Sequence, residues 1–158
     1  TTVIIHLEIP LAAKEQIVTN KIADNLIGDL NGKKVLLVED HPLNTEIAEK
    51  ILENKGVTVV SAKNGLDGLN KFRSSDQYEF DAILMDIRMP VMDGLTATAE
   101  IRKFDTNIPI VALTAHAFES DKVAALKSGC NDYLVKPVDK ARLMSVLRKY
   151  CHPSTLVL

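Results

Sequence analysis

A chain of 158 residues, 46% of them hydrophobic, can bury one sizeable core and is too short for two full domains. Its formal net charge of −2 removes the electrostatic case for direct binding to nucleic acid or to an anionic membrane surface. No apolar run reaches the roughly 18 to 20 residues of a membrane span, and neither Cys130 nor Cys151 sits in a CxxC pair or has a His at metal-ligand spacing.

The chain starts at Thr1-Thr2, without the charged-then-apolar layout of a signal peptide, and the expectation is a cytoplasmic protein with reduced thiols. Because the first residue is not Met, the sequence reads as a piece of something longer. Val3, Ile5, Leu7 and Ile9 alternate with Ile4, His6 and Glu8, which predicts a strand that Pro10 ends. Leu11, Ile17, Ile22, Leu26 and Leu30 then recur at loosely helical spacing, as in a connector, and Asn31-Gly32 reads as a turn. Residues 1–33 are therefore an N-terminal extension, 34–150 the main domain and 151–158 a short tail.

From Lys34 onward, short aliphatic runs alternate with helical patterns, the signature of βα units around a parallel sheet buried on both faces. Strands are predicted at Val35–Val38, Thr58–Ser61, Ala82–Met85, Ile110–Leu113 and Tyr133–Val135. Helices are predicted at about Leu43–Lys55, Leu66–Ser74, Leu95–Phe104, Glu119–Lys127 and Lys140–Lys149. In the first helix Ile47, Ile51 and Leu52 form an apolar stripe, with Glu46, Glu49, Lys50 and Glu53 toward water. Gly56 ends that helix, and Gly129 follows a later one in the same way. Five such units make an α/β, doubly wound sheet with its site at the carboxyl ends of the strands.

The residues that follow the strands are consistent in type: Glu39-Asp40 after the first, Asp86 after the third, Thr114 after the fourth and Lys136-Pro137 after the fifth. Three carboxylates crowded together call for a cation, and an all-oxygen donor set suits Mg²⁺. Such an ion would bind an incoming phosphoryl group, with Lys136 and Thr114 as further donors, leaving one carboxylate as nucleophile. Asp86 is the candidate, since it lies on the middle strand with acids on one side and the Lys and Thr on the other. Taken singly, each residue has a duller role: Asp40 a turn residue before Pro42, Glu39 a solvated acid, Thr114 a helix cap, Lys136 a surface lysine. Four strands ending together in the right polar types make that explanation improbable.

Residues 34–150 resemble the receiver domain of bacterial response regulators. The likeness rests on Val35-Leu-Leu-Val-Glu-Asp40, on Leu84-Met-Asp-Ile-Arg-Met-Pro-Val-Met-Asp-Gly94, on Leu113-Thr-Ala115 and on Tyr133-Leu-Val-Lys-Pro137, in family order and spacing. It implies a flavodoxin-like (βα)5 sheet of strand order 2-1-3-4-5, with Asp86 accepting phosphate. Glu39, Asp40, Asp86 and the backbone carbonyl of Arg88 would serve Mg²⁺, and Thr114 and Lys136 would contact the phosphoryl oxygens. It also implies a switch, in which Thr114 moves toward the phosphoryl group, Tyr133 turns inward, and the surface of the fourth helix, fifth strand and fifth helix changes. A cis peptide at Lys136-Pro137 belongs to the same expectation.

Two positions tune phospho-lifetime in that family, the second residue after the acceptor and the second after the Thr. Here they are Arg88 and His116, neither the acid or amide that best orients an attacking water, which implies slow autodephosphorylation. The phosphoacceptor segment and Leu113-Thr-Ala-His-Ala-Phe118 are similar to receivers of hybrid sensor histidine kinases. Residues Thr1 to Leu11 resemble the closing strand of a kinase ATP-binding domain. The partners so implied are a histidine kinase core, as phosphohistidine donor, and a histidine phosphotransfer protein, as next acceptor. His6 lacks the helical, acidic surroundings of a phosphoacceptor histidine and no ATP-binding glycine box is present, so the chain itself is not expected to bind ATP.

Three other readings compete. A haloacid-dehalogenase-like phosphatase also uses a strand-end Asp with Mg²⁺, but needs an acid two residues later, where Asp86 has Arg88 and Asp40 has Pro42. A flavodoxin-like cofactor binder needs a Gly- and hydroxyl-rich phosphate loop after the first strand. A phosphorylation-independent pseudo-receiver, an interaction module that keeps the fold without the phosphorylation, is the third, and the presence of every residue required for phosphorylation makes it improbable.

Overall fold

A computed structural model describes residues 29–151. The strand and connector expected within residues 1–28, His6 among them, and the tail from His152 lie outside the described residues. Five strands, β1 (Lys34–Val38), β2 (Thr58–Ala62), β3 (Ala82–Asp86), β4 (Ile110–Thr114) and β5 (Asp132–Val135), alternate with five helices. The helices are α1 (Pro42–Glu53), α2 (Gly65–Ser74), α3 (Gly94–Arg102), α4 (Glu119–Ser128) and α5 (Lys140–Cys151). The sheet is parallel throughout, in the order β2-β1-β3-β4-β5. Among the described residues no helix is long and apolar enough to cross a membrane.

The aliphatic runs become strands because β-branched and leucine side chains, alternating across the pleat, can be buried on two faces at once. One face of the sheet, with Val35, Leu37, Leu84, Val111, Leu113 and Leu134, packs under Leu52 of α1 and Leu143 and Leu147 of α5. The other, with Leu36, Val38, Ile83, Met85, Ile110 and Ala112, packs under Leu69 of α2, Ala97 and Ile101 of α3 and Ala125 of α4. Each fully buried Leu or Ile contributes about 1.5 to 3 kcal/mol. The core also takes in Leu30 and Cys151, just outside the span 34–150.

One detail differs from the sequence pattern. Ile47, expected on the buried stripe of α1, is 48% exposed, and Ala48, Leu52 and the partly buried Ile51 cover the sheet instead. A helix seated on a flat sheet buries a stripe only about 100° wide. Ala48 and Leu52, four residues apart, occupy it and turn Ile47 out. Helix ends follow the punctuation: Gly56 and Gly129 take positive φ, and the N–H groups of Val57 and Cys130 reach back to the carbonyls of Leu52 and Ala125. The Asn31-Gly32 turn is closed by the Lys33 N–H on the Leu30 carbonyl.

The loop from β3 to α3 is the tightest part. Gly94 lies against the backbone of the strand-end acid itself: a Cβ there would come within 1.9 Å of the Asp86 carbonyl oxygen. The Gly94 N–H donates to the Ile87 carbonyl at 2.9 Å, and Asp93 caps α3 by accepting from the Thr96 N–H at 2.8 Å. Between Ile87 and Gly94, Val91, exposed and β-branched, is held at φ +70°, a conformation that L-residues disfavour. Two substitutions in this loop should therefore act in opposite directions. Val91→Asn relieves left-handed strain and should raise stability by about 1 kcal/mol, whereas Gly94→Ala should lower it by about 2 to 3 kcal/mol. Urea unfolding of the two variants checks the pair, and equal signs would refute the account.

Candidate functional site

The strand order changes direction between β1 and β3, and a doubly wound sheet opens its crevice at that switch point. The register fixes what meets there. Val38 pairs with Met85, Asp86 with Leu113 and Thr114 with Val135, so Glu39 stands opposite Asp86 while Thr114 and then Lys136 each lie one step further along the next strand at the carboxyl edge. Backbone bonds carry the ladder beyond the strands, from the Glu39 N–H to the Ala62 carbonyl and from the Lys136 N–H to that of Thr114.

Glu39 is 3% exposed and Asp86 2%, while Asp40 is exposed at the mouth. The Lys136 ammonium lies between the two buried acids, 2.9 Å from Asp86 Oδ2 and 3.2 Å from Glu39 Oε2. The remaining oxygens are also occupied. Asp86 Oδ1 accepts from the Arg88 N–H at 3.2 Å, and Glu39 Oε1 from the His41 N–H at 3.1 Å and the Asn44 amide at 3.4 Å. The Lys136-Pro137 peptide is cis.

Glu39, Asp40 and Asp86 can each offer one oxygen, all within 4.8 Å of one another. Three negative charges against one ammonium leave the cluster net negative, and its donors are hard oxygens without sulfur or imidazole. That set fits Mg²⁺ with waters completing the shell.

The pKa of Asp86 is pushed up to about 6. Burial is the largest cause and prevails over the hydrogen bond from Lys136, and the charge of Glu39 adds to it. Burial acts to lower the Lys136 ammonium, but its bonds and charges with Asp86 and Glu39 outweigh that and raise its pKa.

The other expected residues are nearby but differently engaged. The buried Thr114 hydroxyl donates to the His116 carbonyl at 3.0 Å and accepts from the His116 N–H at 3.2 Å, a local turn in place of a bond to Asp86. It does not cap α4, whose N-cap residue is Phe118. Tyr133 is half-buried, with the Lys122 ammonium 5.0 Å from its ring centre. The side chains of Arg88 and His116 are exposed, Arg88 at 3.7 Å from Asp121 and His116 beside the Phe118 ring at 5.3 Å.

A sequence profile of the response regulator receiver domain matches residues 35–148. The chain belongs to that family. It is 43% identical over 120 residues to the Dictyostelium discoideum hybrid signal transduction histidine kinase M, a match covering 73% of this chain and 5% of that protein. With the sensor histidine kinase GacS of Pseudomonas protegens the identity is 40% over 122 residues, 74% of this chain and 13% of the kinase. Against those curated relatives the receiver is thus a small share of a longer protein. Among solved structures, the receiver domain of the Pseudomonas aeruginosa sensor histidine kinase PA1611, with a magnesium ion in its active site cleft, is 39% identical. It superposes with a TM-score of 0.70, covering 76% of this chain and 98% of that one. The receiver domain of Ssk1, in its complex with the Saccharomyces cerevisiae histidine phosphotransfer protein Ypd1, is 33% identical with a TM-score of 0.72, covering 79% and 92%.

Two contributors escaped the sequence reading. Asn44 holds the inner acid from the first turn of α1, and its signal was an amide one helical turn after the acid pair. Asp121 faces Arg88 from α4, a contact that nothing local announces.

The raised pKa of Asp86 has a definite sign in stability. Protonated Asp86 favours the folded form, so its contribution is full below about pH 4 and is lost as pH rises through about 6. Between about pH 5 and 7.5, without Mg²⁺, the receiver should lose about 1 to 2 kcal/mol relative to Asp86→Asn. Urea titrations of both proteins across that range test this, and parallel profiles would refute it.

Proposed function

We propose that Asp86 takes a phosphoryl group from a phosphohistidine and passes it on, as one station of a two-component phosphorelay. The observation that carries this is the Lys136 ammonium between two buried carboxylates with a third at the mouth. Glu39, Asp40, Asp86 and the Arg88 carbonyl would hold Mg²⁺. When bound, that ion supplies positive charge to the phosphoryl oxygens and offsets the repulsion among the acids.

An oxygen of the Asp86 carboxylate attacks phosphorus. The bond from phosphorus to the donor imidazole nitrogen breaks, its electron pair stays on that nitrogen, and Asp86 becomes an acyl phosphate. Burial favours the uncharged acid, so donors must keep the nucleophile ionised near neutral pH, and Lys136 and the Arg88 N–H do this. Lys136 then moves its contact to the phosphoryl oxygens, already within reach of either acid. Thr114 gives up its turn with His116 and donates to the same oxygens. Tyr133 turns inward behind it, and the α4-β5-α5 surface changes with the balance of two states.

Family membership and the hybrid kinases among the relatives support a donor within the parent protein, with residues 1–33 as the linker from a kinase core. A histidine phosphotransfer protein is the next acceptor. The Ypd1 complex of a similar receiver supports this, as do Leu43 and Ile47, exposed on α1 beside the acid pair where a partner helix would pack. A cytoplasmic location goes with this reading. Arg88 and His116 present no acid or amide to orient water, so the acyl phosphate is long-lived.

Incubation with acetyl phosphate and Mg²⁺ should add one phosphate to the intact mass. The gain should be absent in Asp86→Asn, abolished by chelating the metal and slowed at least tenfold in Lys136→Ala. No gain in the unaltered chain would overturn the reading. After removal of the donor the phosphate should persist for minutes or longer, and decay within seconds would refute the roles given to Arg88 and His116.

A further inference from the structure

Helix α4 is the least anchored of the five. It fully buries one side chain, Ala125, whereas every other helix buries at least two residues. Val123 and Leu126, its larger apolar residues, are exposed. Its first turns carry two charged contacts to other parts of the chain. Asp121 lies 3.7 Å from the Arg88 guanidinium across a cleft of about 580 Å³, lined also by Ile87, Met89 and Leu95. The next residue, Lys122, stands over the Tyr133 ring.

The Asp121 side chain is only 19% exposed, and its Oδ2 is buried with no hydrogen-bond partner among the described residues. A carboxylate so placed depends on the cation that faces it, because a shielded charge without a counter-charge is costly. Arg88, meanwhile, is bound by its backbone N–H to Asp86 Oδ1. One residue therefore touches the reacting carboxylate through its main chain and α4 through its side chain.

We propose that the Arg88–Asp121 pair is a latch that holds α4 in its resting position, and that a phosphoryl group on Asp86 opens it by drawing Arg88 away. This rests on the assignment of Asp86 as phosphoacceptor. A phosphoryl group offers nearly two negative charges and several oxygens in the geometry a guanidinium binds bidentately, against a single carboxylate at a long 3.7 Å. Asp121 is then left shielded and unpaired, which favours movement of the first turn of α4 toward water. Lys122 leaves the Tyr133 ring with that turn and uncovers the aromatic whose inward rotation the switch requires.

Hydrogen–deuterium exchange of the full chain, read on peptides covering Glu119–Ser128 with intact mass in parallel, tests the latch. Before phosphorylation, Asp121→Asn and Arg88→Ala should each speed exchange in α4 about two- to fivefold, the scale of a partly exposed ion pair. The double variant should exceed neither single one, and Asp121→Glu, which keeps the charge, should stay slow. Phosphorylation should speed exchange in the unaltered chain and add little in Asp121→Asn. Phosphate gain with α4 exchange indifferent to Asp121→Asn, or with equal loosening in both proteins, would overturn the latch alone. No phosphate gain in any protein would overturn the Asp86 assignment and the latch with it.

Discussion

The structure turns on one ammonium group shared by two buried carboxylates. Glu39 and Asp86 end adjacent strands of a parallel sheet, so the same register that buries their aliphatic neighbours carries both acids out of water. Removing a carboxylate from water costs several kcal/mol unless the interior returns the lost interactions. Lys136, from the far edge strand, returns part of it to both at once. The compensation is incomplete, as the raised pKa of Asp86 records. A site left short of positive charge is one that a divalent cation improves, and with it an anionic group that brings oxygens to that cation. Resting-state destabilisation and affinity for the reacting groups have the same origin.

That economy works only if Asp86 cannot relax away from the crowding. The β3–α3 loop prevents it. Gly94 sits on the Asp86 backbone where no Cβ fits, and Gly65 of α2 donates to the Met92 carbonyl from the other side. The loop is fixed tightly enough to carry a valine in the left-handed region, a strain that persists only where surroundings over-determine the backbone. The Asp-Gly ending of the phosphoacceptor segment is thus as much a packing requirement as a turn signal.

The fold was legible because a parallel sheet covered on both faces writes itself as short aliphatic runs, and β1, β3 and β4 are buried over nearly their whole length. The site was legible for a related reason: topology puts the first polar residue after every strand at one edge, so the types could be read without knowing any contact. What sequence could not convey depended on orientation or on distant partners. Ile47 fits an apolar stripe as well as Ala48 does until the helix is seated on the sheet. Thr114 was expected among the groups facing the acids, yet its hydroxyl rests on His116. Asp121 looks like an ordinary acid of a helical first turn, and only the folded chain sets it opposite Arg88.

Together these residues would let a small chemical event move a large surface. In the resting arrangement every group that would greet a phosphoryl oxygen is already committed: Lys136 to two acids, Thr114 to a turn, Arg88 to Asp121. Each of these bonds ties a different element to the site. A dianion on Asp86, as proposed, would compete for all of them at once, and the response would be shared among β4, β5 and α4. The helix proposed to yield is the one with a single fully buried side chain, whose position costs least to change. Where the hydrophobic core is thinnest, electrostatics decides, and that is where a charge-driven switch has to be built.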